Sequence, residues 1–452
     1  MNLFEEEILK SKKKKTIKPM TLIIIAIVIL LILCIVAMIG IIYLKSTILK
    51  ITLDGEEAND LEQVFIIEEN DKVYIPIKRM ASYLNYQAYN GDPQTRSEDD
   101  MTKCYIETED ETISFTLNSN ILTKIIDGEE QQIKIKEPIK EINGELCVNA
   151  ESSKEAFAFN FYYNKQKNSM TIETYGYLYV QYYIMATNYG YVAMQEETFE
   201  NASAVLDGMI IVKNEDDAYG VLGENGEIIL ETKYDNITYI RKDAEFLVES
   251  NGKKGIRTYD KKTKIQLEYD SIEIIDDKND TYYVVGQSNL YGVLDKNGKT
   301  VIHPEYEKIG IEDISSYSKN GVTDGFLLND IFIPVKRDGK WRLYDKEKDK
   351  LTDSIYDSLG CPNGKNNLTR TYGVLKIPEY NLIVGAKDGK YNLIDKEGKW
   401  LLEDFVLDAV YITVSEGKNI YMISINKEEQ ELDVFLQEKG ITKPLQNEKN
   451  KG

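Results

Sequence analysis

The sequence predicts a mostly β protein with an N-terminal transmembrane helix, a small α+β domain and a C-terminal array of β-repeats. Three observations lead to this prediction. Residues 21–44 form an apolar run without a charged residue. The composition favours strands, with 32 Tyr and only 9 Pro among 452 residues, because aromatic residues suit a pleated surface. A pattern of glycine, apolar, tyrosine and acidic positions recurs between residues 206 and 441, which indicates internal repeats.

The apolar run has the length of a membrane-spanning helix. Over residues 21–44 a helix rises about 36 Å, more than the roughly 30 Å hydrocarbon core of a bilayer. The preceding tail, residues 1–19, is basic and contains Lys12 to Lys15. Such clusters remain on the cytoplasmic side. We therefore expect a single-pass cell-membrane protein that spans the bilayer with residues 20–44, with a cytoplasmic amino terminus and extracellular domains.

A cleaved signal peptide and a lipoprotein anchor are the alternatives for this segment. The run is longer than the apolar core of a usual signal peptide, and no pair of small residues ends it cleanly. A lipoprotein would be processed before Cys34, but the preceding Leu33 is larger than the small residue that this processing prefers. Both features favour an uncleaved helix.

The charge of the chain restricts its partners. The net charge is −21 at pH 7, and it is more negative still once the basic tail is left out. An acidic domain of this kind repels nucleic acid and anionic lipid headgroups. We expect no DNA or RNA partner, and the charge mainly keeps a large domain in solution.

Cysteine and histidine usage predicts no metal site and no cofactor. Cys104, Cys147 and Cys361 have spacings that match neither zinc-binding nor Cys-x-x-Cys motifs. A disulfide between Cys104 and Cys147 is one alternative, but buried free thiols are favoured. His303 is the only histidine, so a copper centre and a Ser-His-Asp triad both lack their residues.

Residues 50–174 read as one α+β domain with an internal duplication. Residues 72–78 predict a strand that ends at a proline, and residues 78–84 predict a short helix that Asn85 closes in the left-handed conformation. Residues 144–149 and 153–159 repeat the strand and the helix, with Asn160 in the closing position. The first copy, at residues 73–78 and 84–85, and its weaker second copy resemble the copper amine oxidase N-terminal-like (stalk) domain of bacterial envelope proteins. The resemblance implies a non-catalytic appendage without copper.

The repeat array, residues 206–441, contains about five copies. Their origins carry Tyr, Lys or Trp, a glycine or polar residue follows, and Tyr stands fifteen residues on in four copies with an acidic residue after it. The origins are Tyr219, Lys254, Tyr291, Trp341 and Tyr391, and the later tyrosines are Tyr234, Tyr269, Tyr306 and Tyr356. A short apolar strand precedes each origin, and Asn-Gly pairs at 225–226 and 297–298 predict hairpin turns. We expect a three-stranded meander in each repeat, stacked as a propeller-like array or a solenoid, and a fifth copy that lacks the later positions.

This pattern resembles the WG-repeat (KWG) family. The copies nearest to the family pattern are residues 291–299 and 339–345, although Tyr replaces Trp in most copies and Arg342 follows Trp341. The resemblance implies an envelope-associated β-rich protein without assigned chemistry. The recurring tyrosines suit either sugar stacking or the repeat core, and their regular recurrence favours the core.

The remaining segments are a linker, residues 175–205, and a polar tail, residues 442–452. A helix is favoured for the linker, although its periodicity also allows a strand. The sequence contains no catalytic motif and names no binding residue. We expect a non-enzymatic cell-surface binding or scaffolding protein whose repeats face an envelope protein or a wall polysaccharide. The alternative is an envelope glycan hydrolase that uses paired Asp and Glu carboxylates.

Overall fold

The computed structural model describes residues 49–443 and three residues of the amino-terminal segment. Leu30, Ile35 and Met38 of that segment are helical and exposed. Within 49–443 the exceptions are 68–70, 92–99, 109–110, 127–128, 194–203, 241–243, 278–279, 312–324, 363–370 and 416–417. The predicted membrane span, residues 20–44, therefore lies almost entirely outside the described residues. Within the described ranges no helix is long and apolar enough to cross a bilayer.

The chain divides into two compact units. The first comprises residues 1–210 and 222–227, and the second comprises residues 211–221 and 228–452. In the described part of the first unit, strands alternate with helices. Its strands are β1 (Lys50–Leu53), β2 (Glu56–Glu57), β3 (Ile66–Ile67), β4 (Val73–Pro76), β5 (Gln87–Asn90), β6 (Lys103–Glu107), β7 (Glu111–Thr116), β8 (Ile121–Ile126), β9 (Glu129–Lys134), β10 (Lys140–Ile142), β11 (Glu145–Asn149), β12 (Phe159–Asn164), β13 (Ser169–Thr174) and β14 (Val192–Ala193). Its helices are α1 (Ile77–Tyr83), α2 (Ser153–Phe157) and α3 (Tyr175–Asn188).

Within the described residues, three sheets lie entirely in the first unit. Their orders are β12-β13-β1-β2, β10-β11-β4-β3 and β5-β6-β7-β8-β9. The β1–β13 pair is parallel, whereas β4 and β11 are antiparallel. One apolar cluster, which contains the fully buried Ile51, Phe115 and Phe159, connects the sheets with α1 and α2. The unit therefore has a core of its own.

The predicted duplication is present, with one correction. Strand β4 leads through Pro76 into α1, and Asn85 holds φ 61° after it, as the first copy predicts. Strand β11 likewise leads into α2. Asn160 does not close this second helix. Ala158 takes the left-handed conformation at φ 54°, and Asn160 already lies in β12. The chain turns two residues earlier because the buried Phe159 must enter the core.

The linker forms a helix, the favoured of the two structures that its sequence allowed. Thr174 accepts a hydrogen bond from the Tyr177 backbone N–H and so caps the first turn of α3. The core-facing positions of α3 are Leu178, Tyr182 and Ala186. Their spacing of four residues is that of one helix face.

The second unit is a succession of small antiparallel sheets. Strands β15 (Met209–Lys213), β16 (Tyr219–Gly223) and β17 (Ile228–Tyr234) lie at the boundary between the units. The strands that follow are β18 (Asn236–Ile240), β19 (Glu245–Ser250), β20 (Lys253–Thr258), β21 (Thr263–Tyr269), β22 (Ser271–Asp277), β23 (Asp280–Gln287), β24 (Leu290–Leu294), β25 (Thr300–Tyr306), β26 (Lys308–Ile309), β27 (Phe332–Arg337), β28 (Lys340–Asp345) and β29 (Lys350–Leu351). The last repeats contain β30 (Ser358–Leu359), β31 (Thr371–Gly373), β32 (Lys376–Ile377), β33 (Leu382–Lys387), β34 (Lys390–Ile394), β35 (Ala409–Ser415), β36 (Lys418–Ile425) and β37 (Glu428–Glu431), followed by helix α4 (Leu432–Glu438).

The sheets of the repeats have four strands, so the predicted three-stranded meander is wrong. Three of them run β18-β19-β20-β21, β22-β23-β24-β25 and β26-β27-β28-β29. The first strand of each sheet has an apolar residue at its second position, three residues after the recurring tyrosine of the preceding repeat, such as Ile272 in β22. Each repeat therefore supplies three strands to its own sheet and one to the next, which connects neighbouring repeats through backbone hydrogen bonds.

The last two sheets depart from this order. One contains β30-β33-β32 with β34 paired to β33, and the other contains β31-β35-β36-β37. The sequence places an insertion at residues 361–376, and β31 and β32 come from it. A buried cluster of Ile412, Ile423, Leu432 and Phe435 fixes α4 against the final sheet. The helix thereby covers an apolar surface where no further sheet follows within the described residues.

Candidate binding groove in the repeat array

The recurring tyrosines form the core of the second unit. Tyr234, Tyr269, Tyr306 and Tyr356 are at most 8% exposed. Tyr356 donates a hydrogen bond to the Gly398 carbonyl at 3.1 Å and meets Trp400 edge to face at 4.7 Å. The core interpretation is therefore confirmed for these positions. Sugar stacking at them would require rings that solvent can reach.

The recurring acidic residues stabilise the hairpin of the next sheet. Asp270 accepts from Lys253 Nζ at 2.5 Å through one oxygen and from the Ser288 backbone N–H at 2.7 Å through the other. Ser288 lies in the turn between β23 and β24, one sheet further on. We call this arrangement the acid clamp. Its backbone hydrogen bond recurs at Asp235 with Asn251, Glu307 with Gly339, Asp357 with Asp388 and Asp408 with Lys427.

The acid clamp also explains the lysine that precedes three of the five origins. Lys340 pairs with Asp357, and Lys390 pairs with Asp408. The lysine hydrogen bonds and the backbone donors lower the pKa values of Asp270, Asp357 and Asp408. A general acid of a glycosidase needs the opposite shift. These carboxylates hold the array together and do not form a catalytic pair.

The fifth repeat retains the later positions, contrary to the sequence prediction. Tyr391 pairs with Leu407, as Trp341 pairs with Tyr356 in the copy before it. Asp408 then forms the acid clamp, and Val410 is fully buried. One additional residue between Tyr391 and Leu407 moves these positions out of the fifteen-residue spacing, and Leu in place of Tyr hides the match further.

The glycine that follows three of the five origins accommodates a close backbone approach. A Cβ on Gly292 would lie 2.5 Å from the Ile302 carbonyl oxygen and 2.7 Å from the Pro304 nitrogen. The register of β24 and β25 shifts at this point, which brings the third strand over the glycine. Where glycine is lost, a side chain bridges the gap. Arg342 donates to the Thr352 carbonyl at 2.8 Å, and the Asn392 amide donates to the Leu402 carbonyl at 2.8 Å.

A groove lies beside the recurring core, between β17 and the hairpin of β20 and β21. Its volume is about 620 Å³, within the usual range of ligand sites. Apolar and charged side chains both line it. We call it the repeat groove, and it is lined by Ile228, Ile229, Leu230, Glu231, Lys233, Tyr234, Ser250, Arg257, Lys261, Thr263 and Leu267.

The repeat groove is electropositive. Three cationic side chains line it against one carboxylate, an excess of two positive charges. Lys233 donates to Glu231 at 2.8 Å, and this hydrogen bond, followed by the charges of Lys233 and Lys261, lowers the pKa of Glu231. Glu231 is therefore ionised at neutral pH and neutralises Lys233. Arg257 and Lys261 have no ion pair among the described residues.

Arg257 is held by the backbone of its own hairpin. Its Nη1 donates to the carbonyl oxygens of Ile256 at 3.1 Å and Ile265 at 3.0 Å. These carbonyls flank the shift of register between β20 and β21. The guanidinium is thus fixed before any ligand arrives, which reduces the entropy that binding must overcome.

A second groove, in the first unit, has a balanced charge. It encloses about 430 Å³ and is lined by Lys134, Ile135, Lys136, Glu151, Ser152 and Glu155. Lys136 forms an ion pair with Glu151. Two lysines face two carboxylates here, so this groove lacks the charge excess of the repeat groove.

Metal ligands do not gather in the described part of the chain. No group of three His, Cys, Asp or Glu side chains there could hold a metal ion. His303 is exposed on β25, and Cys104, Cys147 and Cys361 are buried free thiols. Burial raises the pKa of Cys147 to about 12, which keeps this thiol protonated. These residues do not fit a copper centre.

One carboxyl has the shift that a general acid requires. Burial, and then the negative charges of Asp54 and Glu224, raise the pKa of Glu173. Asp54 is engaged with Thr174, whose backbone N–H and hydroxyl donate to its two oxygens at 2.7 and 2.8 Å. Sequence reasoning missed Glu173, because one carboxyl among 76 acidic residues carries no signal until its neighbours are known.

Two family models match the chain. Residues 52–172 match the copper amine oxidase N-terminal domain, and residues 219–253 and 291–341 match the WG containing repeat. No curated protein sequence matches the chain. Both family matches agree with the resemblances that the sequence motifs indicated.

Solved structures with some similarity include three multi-component or surface proteins. BBS1N in complex with ARL6DN is 12% identical with a TM-score of 0.20, over 52% of this chain and 80% of that chain. PorZ, a surface component of the type-IX secretion system of Porphyromonas gingivalis, is 6% identical with a TM-score of 0.17, over 72% and 37%. The fission yeast SREBP-SCAP binding domains are 12% identical with a TM-score of 0.18, over 52% and 73%. TM-scores this low do not establish a shared fold. The two sequence matches give the domain architecture of the chain: a copper amine oxidase N-terminal domain at residues 52–172 is followed by WG containing repeats within residues 219–341.

Proposed function

We propose that the protein is a non-catalytic binding or scaffolding protein of a bacterial cell envelope. One helix at residues 20–44 anchors it in the cell membrane, with the amino terminus in the cytoplasm and both units outside. The apolar run and the basic tail before it support this topology. The matched families, a non-catalytic appendage and a repeat, support a role in binding.

The observation that carries the proposal is how the array uses its recurring residues. The tyrosines are buried, and the acidic residues are engaged in the acid clamp. They stabilise a platform and leave no recurring chemistry for catalysis. The repeat groove, by contrast, presents Arg257 and Lys261 without an ion pair among the described residues. The ligand is an envelope protein or a wall polymer.

Topology is tested with tagged protein in cells that have been stripped of their wall. A protease added outside should degrade a tag at the carboxyl terminus and leave a tag at the amino terminus intact. Permeabilised cells, in which both tags must disappear, provide the control. Protection of the carboxyl-terminal tag in intact cells would reverse the orientation and remove the envelope location.

Binding is distinguished from hydrolysis with isolated wall fragments. The full-length protein in a neutral detergent should retain the fragments and release no new reducing ends. The Glu173→Gln variant tests the alternative, because Glu173 is a carboxyl with a raised pKa. Release of reducing ends that stops in Glu173→Gln would establish a hydrolase, whereas no retention of fragments would refute the binding function.

A further inference from the structure

We propose that the repeat groove, where Arg257 and Lys261 lie between β17 and the β20–β21 hairpin, binds an extended anionic polymer that carries phosphate or carboxylate groups. This inference rests on the proposed binding function and specifies its ligand. The ligand is defined by its oxyanions, and the experiment below distinguishes the two types of group.

The first argument is the local reversal of charge. The chain carries −21, yet the groove has an excess of two cations. Residues 253–264 add further lysines, but these are already paired. Lys253 binds Asp270, Lys264 binds Glu245 and Lys262 binds Asp260. The positive charge left over is therefore concentrated in the groove.

The second argument is the geometry of Arg257. One edge of its guanidinium is fixed by the Ile256 and Ile265 carbonyls. Its Nε and Nη2 have no partner among the described residues. The Nε and Nη2 edge is therefore held in position without a partner of its own. It suits a bidentate contact with a phosphate or a carboxylate.

The third argument concerns the size and lining of the groove. A volume of about 620 Å³ is larger than one phosphate or carboxylate requires. Ile228, Leu230 and Leu267 supply apolar surface beside the cations. A polymer would place its charged groups at Arg257 and Lys261 and the units that link them beside these apolar side chains.

The negative charge of the rest of the chain limits which polyanions can enter. At physiological ionic strength, charges are screened over about 8 Å. A thin single chain in the groove therefore interacts mainly with the local cations. A wide polyanion such as duplex DNA also meets the acidic surface, which agrees with the expectation that nucleic acid is not a partner.

The test uses the full-length protein in a neutral detergent and three immobilised probes, namely inorganic polyphosphate, poly-L-glutamate and uncharged dextran. The parent protein should bind at least one polyanion and not dextran, and the tighter probe identifies the oxyanion. Arg257→Gln should weaken binding roughly tenfold, the usual size of a charge-assisted hydrogen bond. Lys261→Gln should weaken it about threefold, because Lys261 is exposed.

Lys262→Gln is the matched control. Lys262 neighbours Lys261, is 79% exposed and pairs with Asp260, but it does not line the groove. It should bind like the parent. An equal loss in Lys262→Gln and Lys261→Gln would assign binding to overall charge and overturn the site. The Arg257→Gln variant loses two backbone hydrogen bonds and so has a reason to melt at a lower temperature. If it does, the binding of the Lys261→Gln variant still tests the groove.

The ligand class and the proposed function fail in different ways. Retention of wall fragments without binding of either polyanion would refute the anionic ligand and leave the binding function standing. Equal binding of dextran and the polyanions would likewise refute the role of charge. Loss of both wall retention and polyanion binding would refute the ligand class and the proposed function together.

Discussion

Replacing Tyr306 with alanine should destabilise several repeats at once. Tyr306 is 4% exposed and lies in an apolar cluster with Val284 and Val293 of one sheet and Ile333 and Val335 of the next. An aromatic side chain buries about 200 Å², which at about 25 cal/mol per Å² corresponds to roughly 5 kcal/mol. Measured truncations of buried aromatics cost about 3 to 5 kcal/mol. We expect a loss in this range.

Calorimetry of the full-length protein measures the effect. For a unit of this size each kcal/mol shifts the melting temperature by about 2 to 4 °C, so the repeat transition should fall by roughly 6 to 20 °C. The transition of the first unit should not move, because its apolar cluster contains only residues of 49–172. Tyr306→Phe keeps the ring and should cost about 1 kcal/mol or less.

The opposite result would contradict the assignment of Tyr306 to the core. An unchanged repeat transition in Tyr306→Ala would mean that the ring does not support the packing of the two sheets. If that variant also failed to retain wall fragments while melting like the parent, Tyr306 would belong to a ligand site. A fall in both transitions would mean that the two units do not unfold independently.

Three further predictions test the glycine position, the acid clamp and metal independence. Gly292→Ala should cost about 1 to 3 kcal/mol, because its Cβ would meet backbone atoms at 2.5 and 2.7 Å. Gly176→Ala, in the first turn of α3 and with nothing within 4 Å, should not destabilise the protein in the same urea titration. Asp357→Asn should lower the urea midpoint at pH 7. Because folding lowers the pKa of Asp357 from its ordinary value of 3.8, its contribution is present above that value and lost as pH falls through the lower folded pKa. The difference between parent and variant should therefore shrink as pH falls below 3.8, and a difference that does not shrink would contradict the clamp. A chelator should leave both melting transitions in place, and a stoichiometric metal that survives dialysis and raises either transition would reveal a missed site.

The local elements were predictable because local physics decides them. Pro76, the apolar positions of α1 and Asn85 define a strand, a helix and its end within thirteen residues of chain, and the structure follows them. The recurring Tyr306 and its counterparts were assigned to the core from spacing alone, since a repeat must bury a constant residue against its neighbour. The prediction that Asn160 ends the second helix was wrong, because an asparagine marks a turn only when no buried residue competes for the position.

The sequence by itself determined the two kinds of module, the period of the repeats and the residues that each repeat buries, because these follow from patterns along the chain. The tertiary structure alone decided which strands share a sheet. Ile272 follows Tyr269 at a fixed spacing and so reads as the end of one repeat, yet it pairs with Val285 of the next. The tertiary structure also decided that Arg257 and Lys261 remain without an ion pair among the described residues, while lysines one to four residues away are paired. Hydrogen-bond partners and charge compensation depend on distances between segments remote in sequence, and no local pattern encodes those distances.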